Sequence, residues 1–378
     1  MLMLRTIELS EQEIRHMRLS AQHLLKGTKS EYSNVAQLLQ TICGVQAQYP
    51  FDANLAMRVR MNNLTLEELG KAQLDERIIV RTWCMRGTLH LLAADDFYWL
   101  MDFHGKAFIK KSQHRYKDLG LDDTLYGKCI EKLYTLLEEN APLTREEVKD
   151  YFMTQDINLE GQASYHLLRR AALEGLVCFG PDRNSEPTYV LVDKWLGVKH
   201  NPLSKEEALE RLARRYLEAY GPASFEDFVK WSGISKADLR QGWKNISSEM
   251  VEVKSAGQSL YVLENQLSSK VSKVLNSPTD FVHLVPAYDP YLLGYSDRKI
   301  ILLQDALKDV YPGGGLLRSA LLLDGVISSS WEIKRYQKRI EIRLKALREI
   351  EESVQDELRI EVQNLSKFLG IDAEFVIL

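Results

Sequence analysis

The sequence predicts a mainly α-helical protein with α+β elements, in which three tandem winged-helix motifs precede a C-terminal β-rich region. Two successive segments repeat the order of three helices followed by a β-hairpin, which is the order of a winged helix. The N-terminal 120 residues fit a third, elaborated copy, and strand-like runs dominate after about residue 275. We therefore place the first motif in residues 1–120, the second in 121–200, the third in 201–272 and the β-rich region in 273–378.

The composition is that of a soluble globular protein. Hydrophobic residues make up 45% and charged residues 27% of the 378 positions. No apolar run approaches the ~20 residues that span a bilayer, and the first residues lack the features of a secretory signal. The four cysteines are scattered without metal-ligand spacing, which indicates a reducing compartment. We expect a cytoplasmic protein with no cofactor, no metal and no membrane partner.

The net charge of −4 bears on nucleic-acid binding. A nucleic-acid binder usually has basic character, so this balance argues mildly against one. A local basic groove can nevertheless coexist with an acidic exterior. Net charge alone therefore leaves the partner open.

The N-terminal region shows helix-start signals and one pair of strands. The capping-box patterns Ser10–Glu13 and Thr65–Glu68 each open a helix, and another helical pattern runs over residues 34–43. Residues 77–92 are rich in β-branched and aromatic side chains and predict two short strands. Asp95 is the expected N-cap of the next helix.

The second and third segments show the same order of helices, capping residues and strands. In the second, a long helix is followed by a capping box at Thr144, a helix over 162–174 and two strand-like runs. In the third, a helix over 204–219 precedes caps at Ser224 and Ser235 and then a hairpin. Because two successive segments share one pattern, the winged-helix prediction is stronger than it would be from either segment alone.

The C-terminal region reads mainly as strands. The runs 281–295 and 298–303 are β-like, and Asp324-Gly325 is a strong signal for a two-residue hairpin turn. A basic tract over 334–348 fits strands with charged outward faces, and residues 350–368 predict a terminal helix.

Two glutamines stand at i and i+2 in the segment Val45–Tyr49. Pro50 biases the residue before it toward an extended conformation. If the whole segment is extended, Gln46 and Gln48 point to one side and Ala47 to the other. From the spacing alone, two ordinary surface glutamines are the simpler explanation, because glutamine is mostly exposed.

Other candidate residues also have simple structural explanations. Arg169 and Arg170, beside His166, lie on the helix that would be a recognition helix, where such side chains contact phosphates or bases. A solvated helix face or a protein-binding surface explains them as well. His90 fits a satisfied core histidine, and Asp289 fits a turn residue or a buried hydrogen bond. No nucleophile elbow, paired-carboxylate motif or metal cluster is evident in the sequence.

Three segments in order carry a family resemblance. They are QAQ at 46–48, RTWCMRGTLHLL at 81–92 and VPAYDPYLLGYSDR at 285–298. Together with the repeated winged helices, they resemble the winged-helix DNA glycosylases typified by AlkZ and YcaQ, over essentially the whole chain. The AlkZ-like branch is marked by Q-apolar-Q, whereas the YcaQ-like branch has Asp at the second position. Gln48 therefore makes this sequence similar to the AlkZ-like branch.

The resemblance implies a monofunctional glycosylase that excises alkylated purines from double-stranded DNA, as a monomer, and in some members unhooks interstrand crosslinks. It implies that Gln46 and Gln48 are the catalytic pair. Our own hypothesis adds Thr88 and His90 as nearby supporting or DNA-contacting groups and Arg86 as a DNA contact. A purine alkylated at N3 or N7 is cationic and already a good leaving group. Two neutral amides then need only position a water and stabilise the developing oxocarbenium ion.

Two other function classes stay open on the sequence alone. Tandem winged helices also fit a non-catalytic transcription regulator, although such proteins usually dimerise on palindromic sites and no dimerisation segment is evident. An interaction scaffold that does not bind nucleic acid is compatible with the net charge. Release of free base from methylated DNA distinguishes the glycosylase from both.

Overall fold

The computed structural model describes residues 5–25, 34–197, 202–255, 257–267 and 282–378. About half of the chain is helical. The chain divides into two compact units, which we call unit one (residues 1–69 and 209–378) and unit two (residues 70–208).

The helices follow in chain order. They are α1 (Glu11–Ala21), α2 (Val35–Ile42), α3 (Pro50–Arg58), α4 (Leu66–Leu74), α5 (Ala94–Leu100), α6 (Lys106–Asp118), α7 (Asp123–Asn140), α8 (Arg145–Thr154), α9 (Ala163–Leu173), α10 (Val192–Trp195), α11 (Lys205–Tyr220), α12 (Phe225–Ser232), α13 (Lys236–Asn245), α14 (Pro290–Leu293), α15 (Leu307–Val310) and α16 (Glu352–Leu369).

The strands are β1 (Thr6–Glu8), β2 (Val45–Gln46), β3 (Ile79–Trp83), β4 (Leu89–Ala93), β5 (Leu143–Thr144), β6 (Val177–Phe179), β7 (Thr188–Leu191), β8 (Met250–Ser255), β9 (Gln258–Leu263), β10 (Val282–Val285), β11 (Ala320–Leu323), β12 (Val326–Arg335), β13 (Arg339–Lys345) and β14 (Asp372–Ile377).

Unit one is built around a five-stranded sheet in the order β10-β11-β12-β13-β14. Its neighbouring strands are antiparallel except for β13 and β14, which run parallel. Ile340, Ile342 and Leu344 alternate along β13 and are fully buried, so one face of the sheet faces the core. Helix α16 packs against β10 and β14 and buries Leu358 and Leu365.

The same unit contains a smaller sheet and an aromatic core. Strand β1 pairs in parallel with β8, which pairs antiparallel with β9. Tyr216 and Tyr220 of α11 stack at 5.1 Å between ring centroids, and Trp231 of α12 packs against both. Aromatic pairs of this kind stabilise a core beyond the area that they bury.

Unit two joins a hairpin to a group of helices. Strands β3 and β4 are antiparallel, and the short sheet β5-β7-β6 lies beside them. Trp83 at the end of β3 packs on Phe179 and Tyr189, at 5.0 and 6.5 Å between ring centroids. Helix α5 continues through a turn of π-helix, Met101–Gly105, into α6.

Most predicted helix starts are confirmed. The side chains of Ser10, Thr65 and Thr144 each accept a hydrogen bond from the amide three residues later, and a glutamate caps each in return. Ser224 and Ser235 cap α12 and α13 as expected. These signals depend only on local sequence, which is why they transfer directly to the structure.

Three expectations were wrong, and one strand was missed. Asp95 lies inside the first turn of α5, whose N-cap is Ala93. The β-like run 281–295 contains only the strand β10, followed by a turn and α14, and its first residue lies outside the described residues. Residues 298–303 form turns with one isolated bridge rather than a strand. Strand β14 was not foreseen, because it pairs with β13 after α16 intervenes.

Candidate active site

The glutamine segment follows a sharp helix end in unit one. Cys43 adopts a left-handed conformation, with φ of 59°, and the Gly44 amide donates a hydrogen bond to the Leu39 carbonyl at 2.8 Å. The extended segment is shorter than predicted, because β2 ends at Gln46 and the chain bends at positions 48 and 49. Pro50 is then the first residue of α3, a position that suits its missing N–H.

The two glutamines differ in environment. Gln46 is buried, with 8% of its surface exposed, as is Ala47 at 1%. Gln48 is exposed. The strict alternation that would place both amides on one face is therefore absent, because the strand is only two residues long. The geometry assigns Gln46 to the protein interior and Gln48 to the surface.

The residues after Gln48 line a groove in unit one. Phe51 and Asp52 of α3 border a cavity of about 600 Å³ together with Trp331 of β12. The exposed ring of Tyr49 lies 6.1 Å from that of Tyr288, measured between centroids. Burial raises the pKa of Asp52 to about 6. Asp52 was not among the residues predicted from the sequence, although its position four residues after Gln48 was visible.

In unit two, Arg86, Thr88 and His90 are brought together by direct contacts. Arg86 has φ of 57° in the break between β3 and β4, and its Nη2 lies 3.3 Å from His90 Nε2. His90 Nδ1 lies 3.0 Å from the Thr88 carbonyl, and the Thr88 hydroxyl donates to the Met85 carbonyl at 3.1 Å. These partners require a neutral imidazole with the proton on Nδ1. Thr88 itself precedes β4 instead of lying in it.

The charge state of His90 follows from its surroundings. The side chain is 2% exposed, and burial together with the Arg86 guanidinium lowers its pKa well below 6.5. His104, in the π-helical turn, is fully buried, and burial lowers its pKa to about 4. The sequence offered no signal for His104, because nothing local marks a π-helical turn. Both histidines are neutral core groups at neutral pH, as the structural explanation of His90 anticipated.

Arg169 on α9 lies near the Arg86–His90 segment. Its Nη1 donates to the Ser112 hydroxyl at 3.0 Å, and a Cβ on Gly87 would lie 2.9 Å from its Nη2. His166, one turn earlier, packs edge-on against Tyr116 at 6.1 Å. Burial and the neighbouring Arg169 lower the pKa of His166, so it is neutral at neutral pH.

Arg170 has a full set of intramolecular partners. Its guanidinium pairs with Asp123 at 2.9 Å and with Glu174 at 3.2 Å, and it stacks 3.7 Å from the centroid of the Tyr126 ring. Glu174 also accepts from the Tyr126 hydroxyl at 2.7 Å. This network ties α7 to α9 and accounts for Arg170 without a DNA contact.

The candidate residues are divided between the two units. Gln46 and Gln48 belong to unit one, whereas the Arg86–His90 segment and α9 belong to unit two. Across the described ranges, no group of three His, Cys, Asp or Glu side chains could hold a metal ion. None of the helices within those ranges combines the length and the apolarity needed to cross a bilayer. The four cysteines are buried, and none of them forms a disulfide among the described residues.

Comparison with known proteins supplies the family context. The family model for AlkZ-like DNA glycosylases matches residues 39–368. The interstrand DNA cross-link repair glycosylase of Streptomyces sahachiroi is 28% identical over 331 residues, which cover 84% of this chain and 86% of that protein. The solved structure of the Streptomyces sahachiroi DNA glycosylase AlkZ matches with a TM-score of 0.82 at 23% identity, covering 98% of this chain and 100% of that one. That match shows a common fold.

Proposed function

The chain belongs to the AlkZ-like DNA glycosylase family, and we propose that it hydrolyses the N-glycosidic bond of cationic N3- or N7-alkylated purines in double-stranded DNA. As a family member it is a hydrolase that acts on N-glycosyl bonds. The finer proposal concerns the substrate and the two glutamines. The observation that carries it is the Gln46–Gln48 pair, placed at the start of a helix that borders an open groove.

The different burial of the two amides supports a division of labour. A buried side chain such as Gln46 is held in place by its surroundings, whereas the exposed Gln48 is free to meet DNA and water. We propose that Gln48 holds the hydrolytic water and that Gln46 fixes the geometry of the segment and completes the water site. A neutral amide is a weak base, so its contribution is positioning and electrostatic preorganisation. Such a site suits a base that is already cationic.

The helical segments support a DNA-binding role. Helices α7–α9 followed by β6 and β7, and α11–α13 followed by β8 and β9, have the element order of winged helices. We propose that these are the second and third winged-helix motifs, within residues 121–200 and 201–272, and that residues 1–120 hold the first. Arg169 is the proposed phosphate contact of α9. Arg170 is assigned to the ion-pair network instead.

The named relative suggests the lesion class. The Streptomyces sahachiroi protein is called an interstrand DNA cross-link repair glycosylase. We propose that this chain also accepts crosslinks formed at alkylated purines, because each crosslinked purine carries the same positive charge. A cytoplasmic monomer with no cofactor is the working form that we propose.

Base release tests the proposed reaction. Purified protein is incubated with duplex DNA that contains N7-methylguanine, and free base and alkali-labile abasic sites are measured. We expect release by the wild type and a loss of at least about 100-fold in the Gln46→Ala/Gln48→Ala double variant, since removing one positioning group costs roughly that much. Gln12→Ala, which changes an exposed glutamine on α1, is the matched control.

The alternatives predict other outcomes. Sequence-specific binding without base release would favour a transcription regulator. Absence of binding at low salt would favour a scaffold that does not bind nucleic acid. Release of N7-methylguanine by the double variant at the wild-type rate would exclude the role of the glutamines.

A further inference from the structure

Asp52 is a partly buried acidic group in a groove whose cations pair with other carboxylates. The groove of about 600 Å³ is bordered by Asp52, Arg318, Arg343 and Lys345 over the buried Trp331. All of these residues belong to unit one.

The three cations of the groove pair with carboxylates other than Asp52, and two of them share one carboxylate. Lys345 and Arg318 pair with the buried Asp309 at 2.8 and 3.5 Å. Arg343 pairs with Glu341 at 2.7 Å. The three positive side chains that line the groove therefore have their ion pairs with Asp309 and Glu341, and not with Asp52.

Asp52 lacks a comparable partner. Within the described part of the chain, no cation or hydrogen-bond donor contacts its carboxylate, and burial alone accounts for the rise of its pKa to about 6. A partly buried, unpaired carboxylate carries a desolvation cost. Charged groups that are desolvated without forming a stabilising contact are often found at functional sites.

The position of Asp52 connects the groove to the glutamine motif. It lies in the first turn of α3, four residues after Gln48. Between them stands Tyr49, which is 55% exposed and lies beside Tyr288. Exposed aromatic rings are typical platforms for nucleobases in nucleic-acid binders. The motif, the aromatic pair and the carboxylate therefore follow one another along a single short segment.

Building on the proposed glycosylase activity, we propose that Asp52 is a further catalytic residue whose carboxylate stabilises the positive charge of the substrate nucleoside as the glycosidic bond breaks. When the C1′–N9 bond breaks, its electron pair goes to the alkylated base, which becomes neutral, and the positive charge passes to the sugar. The water oxygen then bonds to C1′, and one water proton leaves to solvent. Asp52 supplies the countercharge throughout and takes no proton.

A carboxylate at this position should weaken the binding of undamaged DNA, and this effect makes the proposal testable. It repels DNA phosphates, so it lowers affinity for undamaged DNA and is favourable only where the ligand carries positive charge. Asp52→Asn should therefore bind undamaged duplex at least as tightly as the wild type. The same variant should lose selectivity for a cation.

The decisive measurement compares two duplexes that differ by one charge. One carries a pyrrolidine abasic-site analogue, which is cationic at the sugar, and the other carries the neutral tetrahydrofuran analogue. We expect the wild type to prefer the pyrrolidine duplex by about tenfold, the effect of one nearby opposite charge. Asp52→Asn should bind the two duplexes equally, and Asp52→Glu should recover part of the preference. Glu332→Gln, an exposed acid in the same groove, should leave the preference unchanged.

A second measurement uses the unaltered protein. As pH falls through about 6, Asp52 becomes neutral, and the preference for the pyrrolidine duplex should disappear. Arg343, whose pKa is raised by its hydrogen bond with Glu341, keeps its charge in this range, and Tyr288, whose pKa is raised by burial, stays neutral. This measurement tests the role of Asp52 even if Asp52→Asn fails to fold.

The outcomes separate the two proposals. If the wild type releases no base from N7-methylguanine DNA, the proposed function fails. If it releases base but Asp52→Asn keeps the tenfold preference and the wild-type preference is independent of pH, only the role of Asp52 fails.

Discussion

Arg60 and Asp289 form a doubly hydrogen-bonded ion pair in which both side chains are fully buried. Arg60 Nη1 and Nη2 each lie 2.7 Å from a carboxylate oxygen of Asp289. Nη2 also donates to Gln22 Oε1 at 3.1 Å, and Asp289 accepts from the Tyr291 amide at 2.8 Å. Burial of a charge pair is tolerated when hydrogen bonds replace the lost water. This pair ties the chain just after α3 to the PAYDPYLLG segment and so fixes the helix that begins at the glutamine motif.

Replacing Asp289 with Asn should destabilise the protein by about 3–5 kcal/mol, because it leaves the Arg60 charge buried without a countercharge. Urea unfolding at pH 7 measures the change. Glu264→Gln is the matched control, since it breaks the exposed Arg5–Glu264 pair and should cost less than about 1 kcal/mol. Equal effects of the two variants would contradict the structural role of Asp289.

Gly105 should tolerate no larger residue. A Cβ at this position would lie 1.8 Å from the Leu173 carbonyl oxygen, which is backbone and cannot move aside cheaply. We expect Gly105→Ala to destabilise the protein by about 3 kcal/mol or more in thermal or urea unfolding.

Gly127→Ala provides the comparison. Gly127 lies within α7, and a Cβ added there would have no neighbouring atom within 4 Å among the described residues. Alanine favours a helix over glycine by up to ~1 kcal/mol, so this variant should be neutral or stabilising. If Gly127→Ala lost stability and Gly105→Ala did not, the distances from the added Cβ to neighbouring atoms would not explain the effects of the two substitutions.

The sequence correctly predicted those helix starts and turns that depend on residues close together in the chain. The capping boxes at Ser10, Thr65 and Thr144 are confirmed because each needs only residues three apart. The Asp324-Gly325 hairpin is confirmed, with φ of 49° and 75° at its two turn residues. Strand β14 depends on a parallel partner that α16 separates from it along the chain, so no local pattern revealed it.

The candidate site was predictable only in part. The glutamine motif was visible in the sequence, but the difference in burial between Gln46 and Gln48 depends on where β2 ends. The adjacent arginines of α9 look equivalent in the sequence. In the structure Arg170 contacts Glu174, one turn later on the same face of the helix. It also contacts Asp123 and Tyr126, which lie far from it in the chain, so the sequence pattern did not reveal the whole network.

The two arginines should respond differently to substitution. Arg169→Gln should weaken DNA binding and reduce the slope of log affinity against log salt by about one, the effect of a lost phosphate contact. Arg170→Gln should leave that slope unchanged and lower the unfolding temperature, because Asp123 and Glu174 lose their partner. Salt titrations of binding and thermal unfolding of both variants measure the two effects. Identical salt slopes for Arg169→Gln and the wild type would remove Arg169 from the DNA contacts.

The buried neutral histidines should make unit two sensitive to acid. Burial lowers the pKa of His104 to about 4, below its unfolded value of 6.5. Between these values the unfolded chain binds a proton that the folded chain does not, so stability falls as pH falls, by ~1.4 kcal/mol per pH unit for each such histidine. His90 acts in the same direction. In urea unfolding from pH 6.5 to 4.5, His104→Gln should therefore lose stability less steeply than the wild type by ~1.4 kcal/mol per pH unit. A wild-type slope in His104→Gln would show that His104 is not held neutral.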